Sequence, residues 1–167
     1  DPLAGGVEYL ECEIADAARI VARARGAEVV VNGLNPIYTR WAREAMPMAR
    51  AAIDIATALG ALLMLPGNVY NFGRAMPALL DEAVPFAPTT SKGRIRVAIE
   101  RAIEDATTRG LRAVVVRAGD FYGGDGRGSW LDLAIARDLG RDIVTYPGPP
   151  DVVHARAWLP DLARAFV

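Results

Sequence analysis

A handful of side chains in this sequence have the type and setting to do chemistry. Lys92 follows Pro88-Thr89-Thr90-Ser91 at the predicted start of a helix. A cation is disfavoured at the positive end of a helix, so a lysine there suits a binding role better than a chance surface position. Thr90 and Ser91 offer hydroxyls that cap the same helix by accepting a free backbone N–H. Tyr70, in Val69-Tyr70-Asn71-Phe72-Gly73, carries a phenol that either passes a proton or packs. Tyr38 shares Asn35-Pro36-Ile37-Tyr38-Thr39-Arg40-Trp41 with an arginine and a tryptophan, which either meet a ligand or cover the next helix; the sequence favours neither. The Asp120 carboxylate, after Ala118-Gly119, can bind a hydroxyl, act as a base or cap a turn. Asn68 stands where a strand gives way to a loop, and either bonds the loop backbone or faces a ligand.

The elements that must position these groups alternate. Val7–Glu11 reads as a strand, Asp16–Arg25 as a helix with Ala17, Ile20, Val21 and Ala24 on one face, and Glu28–Leu34 as a strand built on three consecutive valines. Trp41–Leu59 is a long helix with Ala45, Met46, Ala49, Ala52, Ile53 and Ala56 on one side, and Pro47 near its first turns, where a missing N–H costs least. Ala61–Leu65 is a strand, and Lys92–Thr108 is a helix with Ile95, Ile99, Ala102, Ile103 and Ala106 in register. Its Arg94, Arg96 and Arg101 are expected on the solvated face, and Arg112–Arg117 is the next strand. Gly26, Gly60 and Gly110 each stand where a left-handed residue closes a helix before a strand. Strands apolar on both sides need helices on both faces, so the chain predicts an α/β fold, a doubly wound parallel sheet in three αβα layers. In such sheets the ligand lies beyond the carboxyl ends of the strands. From Phe121 the texture changes to the loop Gly123–Gly128, a helix Trp130–Leu139 and a short strand Ile143–Tyr146. We therefore expect one domain over 1–121 and the start of a smaller appended region over 122–167.

Composition removes several classes. The formal net charge of −1 offers no basic surface for nucleic acid. No apolar run approaches the ~20 residues of a membrane span. A single cysteine, Cys12, and a single histidine, His154, provide neither an internal disulfide nor a cysteine- or histidine-based metal site, so no metal is expected and the reducing cytoplasm is the expected compartment. The chain opens on Asp1-Pro2 and runs at once into a strand pattern, so it is expected to begin inside a larger protein.

Five segments in order carry a resemblance. They are Glu11-Cys12-Glu13-Ile14-Ala15-Asp16, Val69-Tyr70-Asn71-Phe72-Gly73, Lys92 at 23 residues beyond Val69, Arg117-Ala118-Gly119-Asp120-Phe121-Tyr122-Gly123, and Trp158-Leu159-Pro160-Asp161-Leu162-Ala163-Arg164-Ala165. Together they resemble the extended short-chain dehydrogenase/reductase superfamily of epimerases and dehydratases. The resemblance implies a Rossmann-type fold that binds NAD or NADP. Glu13 and Ile14 would lie by the adenine, and Lys92 would hold the nicotinamide ribose. Leu34, Asn35, Gly67, Asn68, Ala118 and Gly119 would line the cofactor at the strand ends, and His154 falls near a family arginine that contacts a nucleotide-sugar phosphate. Tyr70, Tyr38 and Asp120 become the candidates for proton transfer beside Lys92. A small-molecule substrate of the nucleotide-sugar kind is implied, and so is a homodimer through helices 41–59 and 92–108.

The departures are chemical. The glycine-rich dinucleotide fingerprint is absent, and the expectation is that it lies before Asp1. The family's catalytic tyrosine, four residues before the lysine, is Pro88 here, and its Ser/Thr, three before the valine, is Pro66. Two classes of function follow: hydride transfer between nicotinamide and a hydroxyl or carbonyl at an atypical active site, or a non-catalytic NAD(P)-binding sensor or interaction protein. A flavodoxin-like domain fits the sheet but not the ordered motifs.

Overall fold

Helix closure by glycine sets the rhythm of the chain. Helix α2, Trp41–Leu59, ends on Gly60, whose φ of 64° lets its N–H turn back to the Ala56 and Thr57 carbonyls. Gly26 and Gly110, in the turns after the first and third helices, also have positive φ, 87° and 102°. The computed structural model describes residues 6–124, 129–146 and 148–167, and for Tyr38 the backbone only.

Asp16 starts helix α1, Ala17–Arg23, by accepting the Arg19 N–H on its carboxylate at 3.3 Å. Strand β1, Val29–Val31, precedes α2, and strand β2, Leu62–Asn68, follows it. Helix α3 is Ser91–Thr107 and strand β3 is Arg112–Ala118. The strands form a parallel sheet in the order β1-β2-β3 with flanking helices, a Rossmann-like architecture. A second, two-stranded parallel sheet pairs β4, Asp120–Tyr122, with β5, Arg156–Trp158, which leads into helix α4, Leu159–Arg164.

Contacts divide the chain into two compact units. One is Asp1–Leu63 with Ala98–Val114, the other Met64–Val97 with Val115–Val167. In the first, α1 and β1 pack on α2, whose buried face is Trp41, Ala45, Ala49, Ala52, Ile53, Ile55 and Ala56. Ile99, Ile103, Ala106 and Leu111 are buried in the same unit. In the second, Leu65, Phe72, Val97 and Ile135 are the buried apolar side chains among the described residues.

Several expectations are corrected. Residues 7–11 form no ladder: no described strand pairs with them, and Val7 and Tyr9 are exposed. An exposed ion pair joins Glu8 of this stretch to Arg23 at the end of α1. β1 keeps only three of the seven residues expected for it. Pro47 is near the first turns of α2, as expected, but as its seventh residue it is past the free amides of the first turn, so it removes the amide that would have bonded the Arg43 carbonyl. Arg94 and Arg101 are exposed as expected, whereas Arg96 is half-buried with its Nε out of solvent.

The helix expected over Trp130–Leu139 reduces to a wide turn at Leu131–Ile135 and a tight one at Leu139–Arg141. Leu133 and Leu139 are exposed and only Ile135 is buried, so no continuous apolar face is available to stabilise a longer helix. Residues 143–146 form no strand. The Thr145 N–H bonds the Ile135 carbonyl across the turn, and Ile143 and Val144 face solvent. The pairing of β4 with β5 was not expected at all.

Candidate functional site

β2 ends where chemistry can begin. Asn68 is its last residue, and the Asn68 Oδ1 accepts the Tyr70 N–H at 3.1 Å, folding the chain into a tight turn over Tyr70–Phe72. Gly73 closes that turn with a φ of 65°. This places the Tyr70 phenol on a part-exposed edge while Asn71 and Phe72 are buried beneath it.

The approach to α3 is folded down on that turn. The Ala87 N–H donates to the Asn71 carbonyl at 2.9 Å. Gly73 lies so close to this segment that a Cβ on it would run into the Ala87 carbonyl and reach the Thr89 methyl at 3.0 Å. Thr90 caps α3, its Oγ1 accepting the Gly93 N–H at 3.0 Å, which is the capping role its position suggested. Gly93 in turn abuts the turn itself: a Cβ there would stand 2.5 Å from the Tyr70 carbonyl oxygen and 3.0 Å from the Pro88 Cβ. Between Thr90 and Gly93 the backbone is therefore fixed on both sides, and Lys92 projects from it with its ammonium nitrogen out of solvent.

The second unit thus brings together Asn68, Tyr70 and Lys92 at the carboxyl end of β2 and the amino end of α3. It also holds Gly67, Ala118, Gly119 and Asp120. Both glycines have packing reasons of their own. A Cβ on Gly67 would stand 3.1 Å from the side chains of Arg117 and Val115, and one on Gly119 would strike the Ala155 carbonyl. That carbonyl accepts the Asp120 N–H at 3.0 Å, which starts the β4–β5 register of Asp120 opposite Arg156 and Tyr122 opposite Trp158. Two of the segments that carried the resemblance, 117–123 and 158–165, are in this way laid side by side. Asp120 is half-buried at the head of the ladder. His154 is exposed, its ring edge-on to Tyr146 at 5.8 Å.

The first unit holds the remaining candidates. Glu13 is exposed and its carbonyl accepts the Asp16 N–H at 2.9 Å, forming the turn that delivers half-buried Ile14 to the cap of α1. After β1, the Asn32 side chain accepts the Leu34 N–H at 3.2 Å, leaving Leu34 and Asn35 exposed. In the Asn35–Trp41 loop the tryptophan covers α2: it is buried, and its Nε1–H donates to the Pro36 carbonyl at 3.1 Å. Arg40 reaches Glu44 one helical turn on, at 3.8 Å. The Tyr38 backbone lies in the short turn Tyr38–Arg40, and its side chain falls outside the described residues.

Sequence reasoning missed a cluster. The Arg117 guanidinium lies over the rings of Phe72 and Phe86, 5.8 and 5.1 Å from their centroids, and the two rings meet edge to face at 5.7 Å. Nothing local in the sequence joins its members: Arg117 stands near the end of a strand that also begins with an arginine, and Phe86 lies in the proline-bounded stretch Pro85-Phe86-Ala87-Pro88. Asn71 gave no signal. It is fully buried, and neither polar atom of its side chain has a partner among the described residues.

The residues present fit the ribose end of a nicotinamide cofactor, with a lysine cation and an asparagine side chain beside a strand terminus. They do not supply the usual proton-transfer pair, because Pro88 and Pro66 carry no ionisable group. Pro66 is tolerated within β2 because alternate amides of a strand point the same way. The Leu62 N–H bonds the Glu28 carbonyl, so the amide that Pro66 lacks is not one aimed at β3. Among the described residues no helix is long and apolar enough to cross a membrane.

No protein-family model matches the chain, and no curated protein sequence does. Solved structures do match in fold. The UDP-glucose 4-epimerase of Brucella ovis, in complex with NAD, superposes with a TM-score of 0.77 at 19% identity, over 93% of this chain and 57% of that one. That of Thermus thermophilus, also a complex with NAD, gives 0.78 at 15% over 98% and 60%. A dTDP-glucose 4,6-dehydratase from Streptomyces venezuelae, with NAD and TYD bound, gives 0.72 at 16% over 93% and 52%. The chain spans between 52% and 60% of the length of these structures.

Proposed function

We propose that this chain, with the Rossmann-like fold of nucleotide-sugar epimerases and dehydratases, is the cofactor-binding part of an enzyme of that type. It would act on a nucleotide-sugar hydroxyl or carbonyl with NAD or NADP, and the NAD found in the similar structures supports NAD. The observation that carries the proposal is the setting of Lys92. Its ammonium nitrogen is out of solvent in the first turn of α3, where that helix abuts the turn that carries Tyr70.

In this reading Lys92 binds the nicotinamide ribose. Asn68, Gly67, Ala118 and Gly119 border the cofactor from the ends of β2 and β3, Leu34 and Asn35 border it after β1, and Glu13 and Ile14 receive the adenine. When bound, the nicotinamide supplies hydride exchange. Tyr70, Tyr38, Asp120 or a water takes the proton that Pro88 and Pro66 cannot move. Residues 122–167 begin the substrate region, α2 and α3 form a homodimer interface, and the cytoplasm is the compartment.

The test is a fluorescence titration of NADH and NADPH against the full-length protein and its Lys92→Ala variant, followed by turnover assays with UDP- and dTDP-sugars. The expected result is saturable binding of one cofactor, weakened about tenfold or more by the substitution, equivalent to about 1.4 kcal/mol. Failure of the folded protein to bind either cofactor overturns the proposal. Binding without turnover of any sugar would recast the chain as a non-catalytic NAD(P) sensor.

A further inference from the structure

The stretch between the Tyr70–Phe72 turn and α3 contains no helix or strand, yet it must deliver Lys92 to one place. Ordering so long an irregular segment is entropically costly, and contacts near its end have to offset that cost. Three do so. The Ala87 N–H bonds the Asn71 carbonyl, Thr89 fits against the Cβ-less face of Gly73, and the Phe86 ring is held between Phe72 and Arg117. The first two depend on Phe86 being seated, since Ala87 follows it directly. Arg117 holds that seat from near the end of β3. Its planar guanidinium faces both rings at once, which a lysine cannot reproduce.

We infer that Arg117 is a positioning residue: through Phe72 and Phe86 it fixes the backbone of residues 86–90, and through that backbone it sets the ammonium of Lys92. The inference rests on the proposed cofactor role of Lys92, and its own effect on residues 86–90 is readable without any cofactor.

The experiment combines Arg117→Met and Arg117→Lys with Lys92→Ala in the full-length protein. Two quantities are read: the NADH or NADPH dissociation constant, and backbone hydrogen exchange at Ala87. Both Arg117 variants should speed exchange at Ala87, while amides at the centre of α2 stay protected. In the Lys92 background they should weaken cofactor binding roughly tenfold, the scale of a lost desolvated cation–π contact. In the Lys92→Ala background the same substitutions should weaken binding no further, because the group they position is gone. Unchanged exchange at Ala87 in both folded variants overturns the inference. So does an equal loss of affinity with and without Lys92, which would mean that Arg117 acts on the cofactor directly. If Lys92→Ala alone binds as the wild type does, the functional reading has failed, and exchange at Ala87 still decides whether Arg117 holds the segment.

Discussion

Two glycines of this chain are required for opposite reasons, and the difference can be measured. Gly93 has no positive φ, so an alanine in that helical position would ordinarily gain about 0.5–1 kcal/mol. The Tyr70 carbonyl at 2.5 Å from the would-be Cβ reverses the sign, since overpacking costs about 1–3 kcal/mol. Gly60 has open space around it but a φ of 64°, which costs a side chain about 1–2 kcal/mol whatever the room. Both Gly93→Ala and Gly60→Ala should lower the urea midpoint. Only Gly93→Ala should also weaken cofactor binding, because it pushes the first turn of α3, which carries Lys92, away from the turn that carries Tyr70. A Gly93→Ala protein as stable as the wild type would show that α3 does not sit against the turn as described. Lys92 and Tyr70 could be picked from the sequence because their neighbours are distinctive. Arg117 and Phe86 could not be joined, because nothing local says that an arginine ending one strand faces a ring that precedes the helix before it.

At the scale of elements, periodicity was a good guide where an element has one buried face. The apolar side of α2 follows the spacing of its alanines, and its length and closing glycine were read correctly. Pro47 is the flaw in that helix. It is exposed and lies at an interior position, where a proline costs about 3 kcal/mol. Pro47→Ala restores the bond to the Arg43 carbonyl, and it loses about 0.4–1 kcal/mol through the freer unfolded chain. A net gain on the order of 2 kcal/mol is expected, seen as a higher melting temperature, and no gain would mean that α2 is bent to suit the proline. Periodicity failed for 130–139 and 143–146, where apolar residues are present but have nothing to bury against. It failed also at 7–11, where a strand pattern has no partner strand among the described residues. A strand is completed by its neighbour, and a short helix by its surface contacts.

For the whole molecule, the homodimer proposal has a direct check. Sedimentation velocity at micromolar concentration should give twice the monomer mass, and Ala98→Glu, on the exposed side of α3, should return it to the monomer. A wild-type monomer overturns the interface. The sequence by itself determined the α/β class, the alternation of helices and strands and the polarity of the sheet, because these follow from local spacing of apolar residues and from glycines that permit positive φ. It also supplied the ordered motifs that pointed to a nucleotide-sugar enzyme fold. Only the tertiary structure decided which motifs meet. It paired β4 with β5, folded 86–90 onto the 70–73 turn, and stacked Arg117 on two rings from elsewhere in the chain. These are contacts between residues distant in sequence, fixed by close packing and by backbone groups finding partners, and neither leaves a local mark on the residues that make them.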